Sequence, residues 1–240
     1  MKSLKIRAGV LVIAVIGLLG IGVAPSGAAT AGVAGDQPSQ PLPPITLTEQ
    51  QEASITAELD KFGVAPATRD ELLDKLTEGG GWDNMTDAAP ASVDIETIDG
   101  ISYTISRFED GSFIAAGIEQ PAPADPKARA IQNCSSSGTS AGVSYRTNCT
   151  IIVTNGATSG QFKASYSLWS SGTSIYNVGN GTVNTDIGVA TAGGFSSSTA
   201  PGTSRWTQFN WTTVIDGWYQ ASRYVRLSVT TSGASSSANY

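Results

Sequence analysis

The chain has 240 residues, 14 Lys and Arg against 20 Asp and Glu, no His and only two Cys. Without His there is no Ser-His-Asp or Cys-His nucleophile system, no imidazole metal ligand and no His general base. Two Cys are too few for a Cys-built zinc site.

The chain opens on Lys2, Lys5 and Arg7, followed by an uncharged run from Ala8 to Val23. A membrane-spanning helix needs about 20 apolar residues, whereas a signal-peptide core is shorter and ends near small residues. Pro25 breaks the run, and Ser26-Gly27-Ala28 and Ala29-Thr30-Ala31 supply small residues after it. Residues 1–31 therefore read as a secretory signal peptide, cleaved after Ala28 or Ala31. No Cys lies near that point to carry a lipid, and Ser237-Ala238-Asn239-Tyr240 ends the chain polar. The expectation is a released, extracellular protein with no membrane contact after cleavage.

Residues 32–47 form a Pro-rich leader, with four prolines between Asp36 and Pro44. Residues 48–120 then read as a small α+β module of two helices and a three-stranded meander. Thr48 with Gln51 fits a capping box, Ile55, Leu59 and Phe62 recur at helical spacing, and Gly63 stops the helix. A second box, Thr68 with Glu71, is expected to open a helix carrying Leu72, Leu73 and Leu76, which ends at Gly79-Gly80-Gly81. Strands are expected at Ser92–Thr97, Ile101–Phe108 and Ser112–Ile118. If Val93, Ile95 and Thr97 share a face with Ile101, Tyr103 and Ile105, the connecting loop is Ile98-Asp99-Gly100. Glu109-Asp110-Gly111 is the corresponding loop of the next hairpin.

Pro121, Pro123 and Pro126 mark residues 121–130 as a linker. Residues 131–240 are rich in Ser, Thr and Gly and read as an all-β, sandwich-like domain. Expected strands are Gly142–Thr154, Gln161–Ser170, Thr173–Val183, Thr185–Ala190, Thr203–Val214 and Trp218–Thr230. Asn155-Gly156, Asn180-Gly181 and Asp216-Gly217 are the expected turns. Cys134 and Cys149 are an isolated pair in an exported chain, which is most simply a disulfide.

Charge divides at the linker. Residues 36–125 carry 18 acidic and 4 basic side chains, residues 126–240 only 2 acidic and 7 basic. Oppositely charged segments attract one another, so contact between the acidic and basic segments is expected. An acidic pro-region masking the basic β-domain, cut at Lys127 or Arg129, is a second reading of the same split.

Leu72-Leu73-Asp74-Lys75-Leu76, Trp82-Asp83-Asn84-Met85 and Arg107-Phe108-Glu109-Asp110-Gly111-Ser112 carry a resemblance. Together they resemble a segment of secreted, uncharacterised proteins of high-GC Gram-positive bacteria, over about 70 of the 240 residues. The resemblance implies no activity and no site residue. The residues themselves read structurally, with Trp82 and Met85 as core plugs and Asp110-Gly111 as a turn.

No catalytic residue, metal ligand or cofactor is indicated. The β-domain has only Asp186 and Asp216 as carboxylates, so a secreted hydrolase is the weakest class. Asp83, Asn84 and Asp87 lack the pattern of a calcium loop and read as turn caps. Seven scattered cations make no nucleic-acid stripe. The informative place is the last long hairpin, where alternation puts Phe209, Trp211, Val225, Leu227 and Val229 on one face. The opposite, even-numbered face displays Trp206, Gln208, Asn210, Trp218, Gln220, Tyr224 and Arg226. Aromatic plates among amides stack on sugar rings and hydrogen-bond their hydroxyls, so the expected partner is an extracellular glycan or cell-wall surface. With Ile215-Asp216-Gly217 as the loop, Trp206 stands opposite Arg226, which equally allows a cation–π pair that covers the sheet.

Overall fold

The computed structural model describes residues 44–121, 134–198, 202–215 and 219–239. The expected signal peptide, most of the leader, linker residues 122–130, Asp216 and Trp218 lie outside the described residues.

Helix α1 (Glu49–Lys61) starts on the expected capping box. The Thr48 hydroxyl accepts the Gln51 N–H at 3.3 Å, and the Gln51 side-chain oxygen accepts the Thr48 N–H at 2.9 Å. Helix α2 (Pro66–Thr77) begins earlier than the Thr68–Glu71 pair suggested, with Ala65 as N-cap. Pro66 explains the shift: its fixed φ suits the first turn, where no backbone N–H is needed. Ile55, Leu59, Phe62, Leu72 and Leu76 point inward and are almost wholly buried. Trp82 is fully buried beside them and donates its indole N–H to the Leu72 carbonyl at 2.7 Å. A short 3-10 turn, Asp83–Met85, follows, with Met85 partly buried against the same core.

The remaining regular structure among the described residues is strand, in antiparallel sheets of seven and four strands. The larger sheet runs β1 (Ser92–Ile98), β2 (Ile101–Arg107), β3 (Phe113–Glu119), β5 (Val143–Thr154), β6 (Thr158–Trp169), β7 (Gly172–Thr185), with β4 (Ser136–Ser140) also on β5. The smaller runs β11 (Gly233–Asn239), β10 (Tyr219–Thr230), β9 (Ser204–Ile215), β8 (Val189–Ser197). The first three strands are thus not a sheet apart. Ala115–Ile118 of β3 pair with Ile151–Thr154 of β5, so one ladder joins the residues on either side of the linker.

The two short hairpins of this region differ from each other. Arg107 pairs with Phe113, and Glu109-Asp110-Gly111 forms the expected loop, with Gly111 at φ 83°. A Cβ on Gly111 would collide with the Thr68 side chain, a second reason for glycine there. The β1–β2 hairpin instead closes on two residues: Ile98 pairs with Ile101, and Asp99 and Gly100 have φ of 53° and 78°. Two left-handed residues are the twist-matched solution for a tight hairpin. The expected face assignment therefore fails for β1. Asp94 and Glu96 pair with Ile105 and Tyr103, and both carboxylates reach Arg107. Val93 and Ile95 turn to the other face, where they are 58% and 78% exposed.

Two apolar cores result. The helices pack on Ile101, Tyr103, Ile105, Phe113 and Ala115, and this core also takes Ala157, Ile187 and Ile215 from later in the chain. The second core joins Ile151, Val153 and Phe162 of the larger sheet to Phe209, Trp211, Val225 and Leu227 of the smaller. Gly160 on β6 makes room for Trp211, since a Cβ there would come within 2.5 Å of the indole ring.

The Cys134–Cys149 disulfide forms as expected. It sits where the neighbour of β5 changes from β4 to β3, next to an irregular stretch of β5 between Arg146 and Cys149. Buried Glu119 accepts the Thr150 N–H at 2.6 Å, so that donor finds a carboxylate at the break. Strands β4 and β11 were not anticipated, and β8 lies further along the chain than Thr185–Ala190. The expected Asn180-Gly181 turn is inside β7, with Asn177 and Asn180 at φ of 51° and 53°.

Candidate functional site

Alternation along β9 and β10 sorts their side chains as expected. Thr207, Phe209, Trp211, Thr213 and Ile215 are buried, as are Arg223, Val225, Leu227 and Val229. Trp206, Gln208, Asn210, Tyr224 and Arg226 are half-buried on the opposite, outer face, and Gln220 is exposed. Trp218 lies outside the described residues.

The register differs from expectation. Arg226 pairs with Gln208, Tyr224 with Asn210, and Ser228 rather than Arg226 stands opposite Trp206. Tyr219 pairs with Ile215, so the closing pair lies one residue further along each strand and every partner shifts by two. A shift of two preserves the face of every side chain, because the strand period is two. The reason lies at the loop: with Ile215 kept in the ladder, its side chain stays buried in the helix-side core.

The outer side chains form one connected arrangement. The Arg226 guanidinium lies 4.5 Å from the Trp206 ring centre and 4.9 Å from that of Tyr224. Its Nε and Nη2 both donate to the Gln208 side-chain oxygen, at 2.8 and 2.5 Å. Gln208 passes its own amide hydrogen to Asn210 Oδ1 at 2.7 Å. Asn210 donates in turn to the Gly194 carbonyl and the Ser196 hydroxyl on β8, both at 3.1 Å. The cation is thus held over two aromatic rings while its hydrogen-bonding edge is fixed by an amide. Cross-strand pairs of this kind hold side chains in one geometry. Ser196 and Gly194 complete the set from a strand that sequence reasoning placed elsewhere. Nothing in a Ser/Gly-rich stretch marks it as the neighbour of Asn210.

The other residues weighed as chemical candidates take structural places. Asn84 is buried and donates to the carbonyls of Phe113 and Asn155, at 2.7 and 3.1 Å. Asp83 binds Lys75 at 3.1 Å. Asp186 accepts the Ser54 hydroxyl at 3.0 Å, and burial raises its pKa, only partly offset by that bond. Asp216 lies outside the described residues. The seven ion pairs found among the described residues all join side chains between Asp60 and Asp110. Among the described residues, contact between the acidic and basic segments is instead made by the β3–β5 ladder, the shared core and hydrogen bonds, those of the Gln51 amide, the Ser54 hydroxyl and the Thr150 N–H among them. Among the described residues no helix is long and apolar enough to cross a membrane.

No protein-family model matches the chain, and no curated protein or solved structure was found similar to it.

Proposed function

We propose that the chain is a secreted, non-catalytic binding protein, its two sheets forming a β-sandwich. The outer face of the four-stranded sheet is its contact surface for an extracellular polysaccharide or cell-wall glycan. The Trp206–Arg226–Tyr224 arrangement carries this reading. Rings already held in place lose little freedom when a sugar face stacks on them, which is where loosely held side chains forfeit affinity. The exposed Gln220 offers hydrogen bonds at the rim.

The intact mature chain is the acting form in this reading. Removing residues before the linker would strip β3 from β5 and bare Ala157, Ile187 and Ile215 beneath the helices. Exposure of that much core argues against an acidic pro-region cut at Lys127 or Arg129. Mass spectrometry of the culture supernatant should find one chain starting after Ala28 or Ala31, with its disulfide closed. A fragment beginning after Lys127 or Arg129 would restore the pro-protein reading.

Binding is tested by retention of the mature chain on insoluble cell-wall polysaccharide and on whole bacterial cells. Trp206→Ala with Tyr224→Ala is expected to reduce retention at least about tenfold. Unchanged retention would refute the glycan surface. Trp218→Ala extends the test to the ring expected beside Gln220.

A further inference from the structure

A cleft of about 430 Å³ opens between α1 and the strands β5 to β7, within the size range of small-molecule sites. Its helix wall is Ser54, Glu58 and Lys61, three or four residues apart and so on one side of α1. The opposite wall includes Ser159 and Gln161 on β6, Asn184 on β7, and Asp186 just beyond it.

Two attachments keep the cleft in shape. Gln51 Nε2 donates to the Asp186 backbone carbonyl at 2.6 Å, and the Ser54 hydroxyl donates to Asp186 Oδ2 at 3.0 Å. These join the first half of α1 to the end of β7. At the floor lies Gly156, where even a Cβ would come within 3.1 Å of Leu59 and 3.2 Å of Trp82.

Within this frame the charges do not balance. Asp186 has a hydroxyl partner but no ion pair among the described residues, and burial raises its pKa. The carboxylate of Glu58, one helical turn past Ser54, makes no hydrogen bond or ion pair among the described residues. Its negative charge, after burial, helps to push the Tyr103 hydroxyl pKa upward. Lys61 is the cation nearest in sequence, and it is engaged elsewhere. Its ammonium lies 3.5 Å from Asp99 and 5.7 and 5.9 Å from the ring centres of Phe62 and Tyr103. Ser159, Gln161 and Asn184 also make no side-chain hydrogen bond among the described residues. Two carboxylates and three free polar groups thus face one space.

We propose that this cleft binds a small hydroxylated organic cation, of the class of an amino sugar with a free ammonium group. The ammonium lies between Glu58 and Asp186, and the hydroxyls meet Ser159, Gln161 and Asn184. A charged donor between two carboxylates makes the strong, charge-assisted kind of hydrogen bond. A bare metal ion suits the site less well. Among the described residues no group of three or more His, Cys, Asp or Glu side chains is placed to hold one. The proposal is independent of the Trp206 surface, which belongs to the other sheet.

Calorimetric titration of the mature chain at low salt, with glucosamine and glucose as probes, tests it directly. Glucosamine should bind with a Kd on the order of 1 mM, and glucose at least about tenfold more weakly. Glu58→Gln and Asp186→Asn should each reduce glucosamine affinity about tenfold or more, whereas Trp206→Ala should leave it unchanged. Glu58 is only half-buried on a helix, so its variant keeps the test valid if Asp186→Asn folds poorly. Equal affinity for the two sugars would overturn the proposal. So would failure of glucosamine to saturate at ~50 mM, or calcium chloride displacing it with the same dependence on Glu58.

Discussion

The outer face of the four-stranded sheet and the cleft beside α1 are both polar, and they use their polar groups in opposite ways. On the sheet face, Arg226, Gln208, Asn210 and Ser196 are joined in one chain of hydrogen bonds, leaving the aromatic rings as the groups that can meet a ligand. In the cleft, the Asp186 carboxylate has one hydroxyl partner while the side chains of Glu58, Ser159, Gln161 and Asn184 have none among the described residues. A surface whose polar groups are already paired recognises by shape and stacking. One whose polar groups are free recognises by charge and hydrogen bonding, since each unmet group favours a ligand that meets it.

The largest way to separate the two regions is to remove the side chain that packs beneath Gly156 at the floor of the cleft. Trp82 is fully buried, so Trp82→Ala is expected to cost about 3–5 kcal/mol in urea unfolding. At urea concentrations where the variant is still folded, glucosamine binding should suffer more than polysaccharide retention. The disulfide comes next. It closes a separation of 15 residues, and replacing both Cys134 and Cys149 by Ser should cost about 2–4 kcal/mol, read as a lower Tm.

Two carboxylates sharpen the contrast through pH. Burial alone would raise the pKa of Asp110, but bonds from Lys75, Ser112 and the backbone of Asp83 outweigh it and hold the pKa below the usual carboxylate range. The stability it contributes is present above the unfolded pKa and disappears as pH falls through the folded one. Asp110→Asn should therefore cost about 1–2 kcal/mol at neutral pH and converge with the parent in acid. Asp186 works the other way. Its folded pKa is raised, so its ionisation removes stability as pH rises from the ordinary carboxylate value through the folded one. Asp186→Asn should be neutral or slightly stabilising at pH 7 in chemical unfolding, even as it weakens the cleft. The smallest effect is at the sheet face, where Gln208→Ala should cost about 0.5–1.5 kcal/mol and loosen Arg226.

Local chemistry was the readable part of the sequence. Thr48 with Gln51, the Glu109-Asp110-Gly111 loop and the single Cys pair each specify a structure through neighbours a few residues away. What the sequence left open depends on distant partners. Strands β4 and β11 are mostly Ser, Gly and Ala, and they are strands because β5 and β10 offer open edges. Alternation alone groups Val93 and Ile95 with Ile101, Tyr103 and Ile105, but the two-residue turn puts them on the opposite face. They line an edge strand, while Asp94 and Glu96 find Arg107. In the same way, period-two alternation identified the outer residues around Trp206, but not their opposite numbers, which a two-residue shift changes without moving any side chain across the sheet. The cleft had no signature at all, since Glu58 and Asp186 are brought together only by the packing of α1 against the sheet.

A crossed binding experiment tests the central claim that these two surfaces are separate sites with different chemistry. The parent chain, Trp206→Ala and Glu58→Gln are each assayed for retention on cell-wall polysaccharide and for glucosamine affinity. The account predicts that Trp206→Ala loses only the first and Glu58→Gln only the second. If either variant abolishes both, or neither variant changes anything, the account is wrong.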